Sequence, residues 1–186
     1  MPCVCTRQFR QRNMLNFMSS ENVYRFIGIG RTTPWEDDTN PPRPNEDATE
    51  IEELIGLQRV AWIKYAKPIP EPTTLQKKLG IYYKGLYYSV TNDTEIAIKD
   101  GYTSVMLGVV LDRDTIPAIP VGVTYRQVGV YDGVKASSQD IEYGITAEDF
   151  NNRPAEDRGM LLTIDNRGPI LRQIDQAEEL IALIDF

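Results

Sequence analysis

Tyr24-Arg-Phe-Ile-Gly-Ile29 and Tyr125-Arg-Gln-Val-Gly-Val130 carry one pattern in the two halves of the chain. Both are rich in aromatic and β-branched residues and reach a glycine at the fifth place, which reads as strand. Six residues of such alternation recur easily by chance, so the echo marks two strands without establishing a repeat. Working outward, 22–30 and Val121–Tyr131 are predicted strands, and so are Arg59–Ala66 and Tyr102–Leu111. Ile81–Val90 reads as two short strands turning at Lys84-Gly85. The chain closes on three more: Gly159–Ile164, Pro169–Ile174 and Glu179–Phe186. An apolar Phe186 at the end of a strand implies a C-terminus tied into a sheet. The expected class is mainly β, antiparallel and β-sandwich-like, with α+β as the fallback.

Two or three short helices are expected beside the strands. Residues 7–19 place Phe9, Met14 and Phe17 at helical spacing with arginines opposite. Asp47 followed by Glu50 reads as a capping box, with Ile51, Leu54 and Ile55 as the buried side and Gly56 as the stop. Asp93–Lys99 reads as a brief helix, and 132–158 as a long loop. Pro41-Pro42-Arg43-Pro44 favours an extended surface path. The chain reads as one structural domain over 1–186 in which two subdomains would meet near 67–80, and Pro68, Pro70 and Pro72 are expected to end the Arg59–Ala66 strand. Residues 1–6 read as a flexible end.

The 186 residues are 41% apolar and 25% charged, which suits a globular chain. The net charge of −7 makes nucleic acid a poor partner. Charge is unevenly spread. Arg7, Arg10, Arg12, Arg25 and Arg31 face only Glu21 at the start. Glu36, Asp37, Asp38, Glu46, Asp47, Glu50, Glu52 and Glu53 then face only Arg43. Two solvated faces explain this; so does a basic end of one subunit docking on an acidic surface of another. No apolar run is long enough to span a membrane, and the first residues lack the core of a secretion signal.

Chemistry finds little to work with. Histidine is absent, which removes Ser–His and Cys–His pairs. Cys3 and Cys5 cannot complete a four-ligand zinc site within one chain, so free thiols are expected and neither metal nor cofactor is. Gly28-Ile-Gly30 leads into Arg-Thr-Thr-Pro rather than a helix opening, so it does not read as a phosphate loop. The carboxylates fall where capping and solvation explain them. Tyr82, Tyr83, Tyr87 and Tyr88 come in adjacent pairs, so one of each pair faces either side of a strand. The outward ones suit a protein interface or, alternatively, a carbohydrate- or receptor-binding module. No enzyme is expected.

Several short motifs occur together in one order. Phe9-Arg10, Met14-Leu-Asn-Phe17, Gly30-Arg31, Pro34-Trp35 and Pro41-Pro42-x-Pro44 come first. Gly159-Met160, Asn166-Arg167-x-Pro169-Ile170, Asp175-Gln176 and Glu178-Glu179 follow near the end. Together they resemble a baseplate wedge subunit of T-even-like contractile-tailed bacteriophages, the dimeric, mainly β wedge protein, in a shortened form. The resemblance covers about 7–55 and 157–186, and 56–120 departs from it. It implies a virion protein of the tail baseplate, assembled in the host cytoplasm, a homodimer set among other wedge and tail proteins that it bridges. Arg31, Pro34, Trp35, Pro41, Pro42, Pro44 and Arg167 are the interface candidates. Trp35 is the foremost, since tryptophan and arginine anchor interfaces; a lid on the protein's own core is the competing reading. Arg31 and Arg167 either brace carbonyls and acidic partners or are ordinary surface arginines.

Overall fold

The computed structural model describes residues 4–20, 24–112, 117–173 and 176–186. Cys3, the first two residues of the predicted 22–30 strand, and Ile174 and Asp175 lie outside them. The chain is mainly β, 38% strand against 22% helix in two antiparallel sheets, which sets the α+β fallback aside. It divides into two compact units. One comprises 1–21, 62–107 and 183–186, the other 22–61 and 108–182. The charge imbalance follows this division. The first unit has nine Lys and Arg to six Asp and Glu, the second eleven to 21.

The second unit is built on β1 (Arg25–Gly30), β2 (Gly56–Arg59), β7 (Thr124–Asp132), β8 (Ile145–Thr146) and β9 (Met160–Leu171), in the order β8-β2-β1-β7-β9. The two echoing segments are neighbours at its centre. They run antiparallel with Gly28 opposite Gly129, flanked by Phe26 opposite Tyr131. A Cβ on either glycine would lie within about 3 Å of the Ile51 Cδ1, so the pair opens a slot that this side chain fills. The glycine of Gly28-Ile-Gly30 therefore serves close packing. Ile51 joins Phe26, Leu57, Tyr131, Val134, Ile145 and Phe150 in one buried cluster. Each such side chain contributes roughly 1.5–3 kcal/mol when fully buried.

The other unit holds α1 (Arg7–Met18), β3 (Trp62–Ile69), α2 (Thr74–Leu79), β4 (Ile81–Tyr83), β5 (Leu86–Thr91) and α3 (Thr94–Asp100). With β6 (Ser104–Leu111) and β10 (Glu178–Asp185) its strands form a sheet ordered β10-β6-β3-β5-β4. Thr6 caps α1, which buries Met14 while Phe9 stays exposed. Gln11 donates to the Ile98 carbonyl, 3.0 Å. The C-terminus is tied down as expected: the Phe186 N–H reaches the Thr103 carbonyl and its ring meets Phe17 at 5.5 Å.

Four boundaries differ from the sequence reading. The helix expected from Asp47 is absent, because one local and two long-range side-chain acceptors take N–H groups of the segment. Asn45 Oδ1 accepts from Asp47, the Tyr131 hydroxyl from Ile51, and Gln127 Oε1 from Glu52. Arg59–Ala66 is two strands, and β3 continues past Pro68, which sits opposite Tyr88. The predicted strands Gly159–Ile164 and Pro169–Ile174 fall on one strand, β9, which runs from Met160 to Leu171 along β7 with register shifts; Ile174 lies outside the described residues. The 132–158 loop contains α4 (Ser138–Tyr143) and α5 (Ala147–Asn151), each started by a side-chain cap, Ser137 with Asp140 and Thr146 with Asp149. With α2, that makes five short α-helices among the described residues instead of two or three.

Candidate functional site

Immediately after β1 the chain leaves the sheet as the loop 31–38, and this loop is fastened at every step. Arg31 takes φ 54 and Glu53 φ 46, a left-handed conformation that non-glycine residues adopt only when surroundings hold them. Here the holding is visible. The Arg31 N–H donates to the Glu52 carbonyl, 2.6 Å, and its guanidinium pairs with the Glu52 carboxylate. Glu53 accepts from the Thr32 hydroxyl and from the backbone N–H groups of Thr32 and Thr33, 2.9 and 3.0 Å. Two adjacent carboxylates thus tie down three consecutive loop residues.

Trp35 closes the loop inward. It is only 9% exposed. The Arg31 guanidinium lies 3.7 Å from its ring centroid, a cation–π arrangement. Its Nε1 donates to the Arg167 carbonyl, 2.9 Å, and its backbone N–H to Asp38 Oδ1, 3.0 Å. Asp38 in turn receives a fork from Arg126, Nε at 2.8 Å and Nη2 at 2.9 Å, while Arg126 Nη1 reaches the Thr32 carbonyl. Bidentate pairing of this kind fixes direction as well as distance. Arg167 is itself aimed by Asp165, 2.7 Å, and donates to the Ile181 carbonyl, 3.0 Å.

Three of the predicted residues, Arg31, Trp35 and Arg167, are therefore one cluster. Pro42 joins through its carbonyl, which accepts from Asn166 Nδ2 at 3.0 Å; Gln127 holds that asparagine at 2.9 Å. Pro34 is exposed, and Pro41 and Pro44 lie half-buried along the extended segment. Sequence reading did not pick out Asp38, Glu53, Arg126, Gln127 or Asn166. One signal was available: Arg126 occupies the place in the second echo that Arg25 holds in the first, and each finds a carboxylate, Arg25 through Asp132 at 2.8 Å. What the brace leaves outside is acidic. Glu36, Asp37, Glu46, Asp47 and Glu50 are all exposed along 36–50. Among the described residues no group of three or more His, Cys, Asp or Glu side chains could hold a metal ion.

The electrostatics give a pH dependence. The Arg126 fork, then the Trp35 N–H, hold the Asp38 carboxyl down to about 2, from an ordinary 3.8. The hydrogen bonds from Thr32 and Thr33 hold Glu53 down to about 2, from 4.5. Both groups are depressed on folding, so their contribution is complete above the ordinary values and is lost as pH falls through the folded ones. The loop is expected to stay closed at pH 5 and to open between about pH 4 and 2. Trp35 fluorescence in a Trp62→Phe background reports this, and Asp38→Asn should remove much of the transition.

Comparison with known proteins places the chain in a family. The family model described as baseplate wedge 3 tail fiber network component matches residues 3–186. The chain belongs to this family. It is also 29% identical to Virion protein 3 of Enterococcus phage phiEF24C over 143 residues, 72% of this chain and 75% of that protein. The wedge resemblance carried by the terminal motifs is thus upheld by a match that also spans 56–120, where those motifs are silent. The protein is a structural component of a phage virion, in its tail baseplate. Its braced loop belongs to a wedge-family protein, whose setting implies contacts with other baseplate and tail proteins. No helix of the described residues is long and apolar enough to cross a membrane.

Proposed function

We propose that this chain is a non-catalytic bridging subunit, which holds neighbouring wedge and tail proteins together while the tail is assembled in the host cytoplasm, and that it does so as a homodimer. The observation that carries the reading is the loop 31–38 with its extension to Pro44. It has no regular secondary structure, yet Glu52, Glu53, Arg126, Arg167 and its own Asp38 fix it from inside while Glu36 and Asp37 stay exposed. Fixing a loop before contact removes the ordering cost that a flexible one meets on binding. In this reading Arg31, Trp35 and Arg167 position the surface, and Pro34, Pro42 and the exposed carboxylates of Glu36, Asp37, Glu46, Asp47 and Glu50 touch the neighbour.

The expected result is that the protein copurifies with intact particles in fixed stoichiometry, and that deleting its gene yields particles with incomplete baseplates. Infectious particles of normal morphology without the protein would refute the bridging role. Sedimentation of the purified chain addresses the dimer separately, a two-chain mass being the expected outcome.

A further inference from the structure

Several large apolar side chains stand exposed on α2, β4 and β5 of the first unit. Helix α2 buries none of its six residues. Leu75 and Leu79, one turn apart and so on one side of the helix, are 64% and 73% exposed. On β4 Tyr82 is 61% exposed, and Leu86, opposite Tyr83 and so on the other face of the hairpin, is exposed too. Tyr82 stands opposite Tyr87 with ring centroids 4.9 Å apart and planes tilted by 53°, so the two rings do not form one flat platform.

This surface is rigid. A capping box between Thr73 and Gln76 starts α2. Gly80 ends it so close to β5 that a Cβ there would meet the Tyr88 carbonyl at 2.7 Å. Lys84 and Gly85 both take positive φ, 46 and 86, as the tight two-residue turn of a β-hairpin requires. Its charge is of one sign. Lys77 and Lys78 occupy the last turn of α2, Lys77 lies 6.0 Å over the Tyr87 ring, and no acidic residue occurs from Pro72 to Asn92. Neither Lys77 nor Lys78 makes an ion pair with a described residue.

We infer that the α2–β4–β5 surface docks a neighbouring tail protein of different sequence, through a face with an apolar centre and an acidic rim. An ordered patch of exposed leucine and tyrosine is costly to leave in water and is where partners sit. The lysines select an acidic partner, and they disfavour two copies of the patch meeting each other, which would set like charges together. The inference rests on the bridging role proposed above and names one of its contacts.

The test uses intact particles. A zero-length carbodiimide couples amines to carboxylates in direct contact, and mass spectrometry identifies the joined peptides. Lys77 or Lys78 should be joined to an Asp or Glu of another polypeptide, and both should acylate more slowly in particles than in the free chain. L75Q/L79Q and K77E/K78E chains, first shown to unfold in urea at the parent midpoint, should enter particles about tenfold less or worse, the size of a hot-spot loss. Cross-links solely to a second copy of this chain, or equal acylation in particle and free chain, would overturn the docking and leave the bridging role intact. So would binding of the free chain to single-stranded DNA or phosphatidylserine vesicles that K77E/K78E abolishes. Absence of the chain from particles would overturn both.

Discussion

Trp35→Ala is expected to lower the unfolding free energy by about 3–5 kcal/mol, the range for truncating a buried aromatic side chain. Three losses combine. The ring leaves a void beneath the loop, the Arg31 guanidinium loses the face it rests on at 3.7 Å, and the Arg167 carbonyl loses its 2.9 Å donor. Arg31 is then held in its left-handed conformation by Glu52 alone. Trp35→Phe separates the terms. It keeps an aromatic face for Arg31 and removes the Nε1 hydrogen bond with only part of the ring volume, so it should cost less than the alanine change, about 1–2 kcal/mol. Urea unfolding of the three chains measures both differences. If Trp35→Ala costs no more than Trp35→Phe, the ring is not packed as described. In the bridging role, the alanine chain should also enter particles poorly even at temperatures where it remains folded, because the acidic segment it anchors no longer keeps one shape.

This outcome recasts the expectation attached to Trp35. As the foremost interface candidate it was assigned to a partner, with a lid on its own core as the competing reading. At 9% exposure, with both its nitrogens donating inside its own unit, its contacts are those of the lid. In the bridging proposal the contact with a neighbour is assigned to the exposed residues that Trp35 positions.

The strands were readable because their evidence is local. β1, β6 and β7 are runs of β-forming residues, and the two echoing segments proved to be adjacent strands. α3 was readable for the same reason, since Asp93 caps it and Gly101 ends it within the segment. What local pattern could not supply was partnership across the chain. Asp38 and Arg126 are 88 residues apart, and nothing near either announces the other. The helix expected from Asp47 shows the same limit from the opposite side. Its capping pattern was sound as a local signal, but Tyr131 and Gln127 capture the N–H groups of Ile51 and Glu52. The capped helices within 132–158 were within reach of sequence. Ser137 with Asp140 and Thr146 with Asp149 are spaced as caps, and only their lack of apolar periodicity hid them.

Gly30→Ala is expected to be nearly as damaging as Trp35→Ala, though it adds one carbon and removes no contact. A Cβ at Gly30 would lie 2.5 Å from both the Glu52 carbonyl oxygen and Ile51 Cγ2. Neither neighbour can yield freely. Ile51 fills the slot between Gly28 and Gly129, and the same Glu52 carbonyl accepts from the Arg31 N–H at 2.6 Å. Forcing a methyl group into a packed site costs typically about 1–3 kcal/mol, and a clash with backbone belongs at the upper end. The consequence is specific to the site. Segment 51–53 must move away from the end of β1, and Glu52 and Glu53 are the residues that hold Arg31, Thr32 and Thr33. Gly30→Ala should therefore raise the pH at which the loop opens, because Glu53 loses the hydrogen bonds that hold its carboxyl near 2. Gly122→Ala, at a positive-φ position with open space around its Cβ, is the control. It should cost about 1 kcal/mol from backbone strain and leave the acid transition where it was. An unchanged acid transition in Gly30→Ala, with stability lost, would mean that the glycine serves the core alone and not the loop.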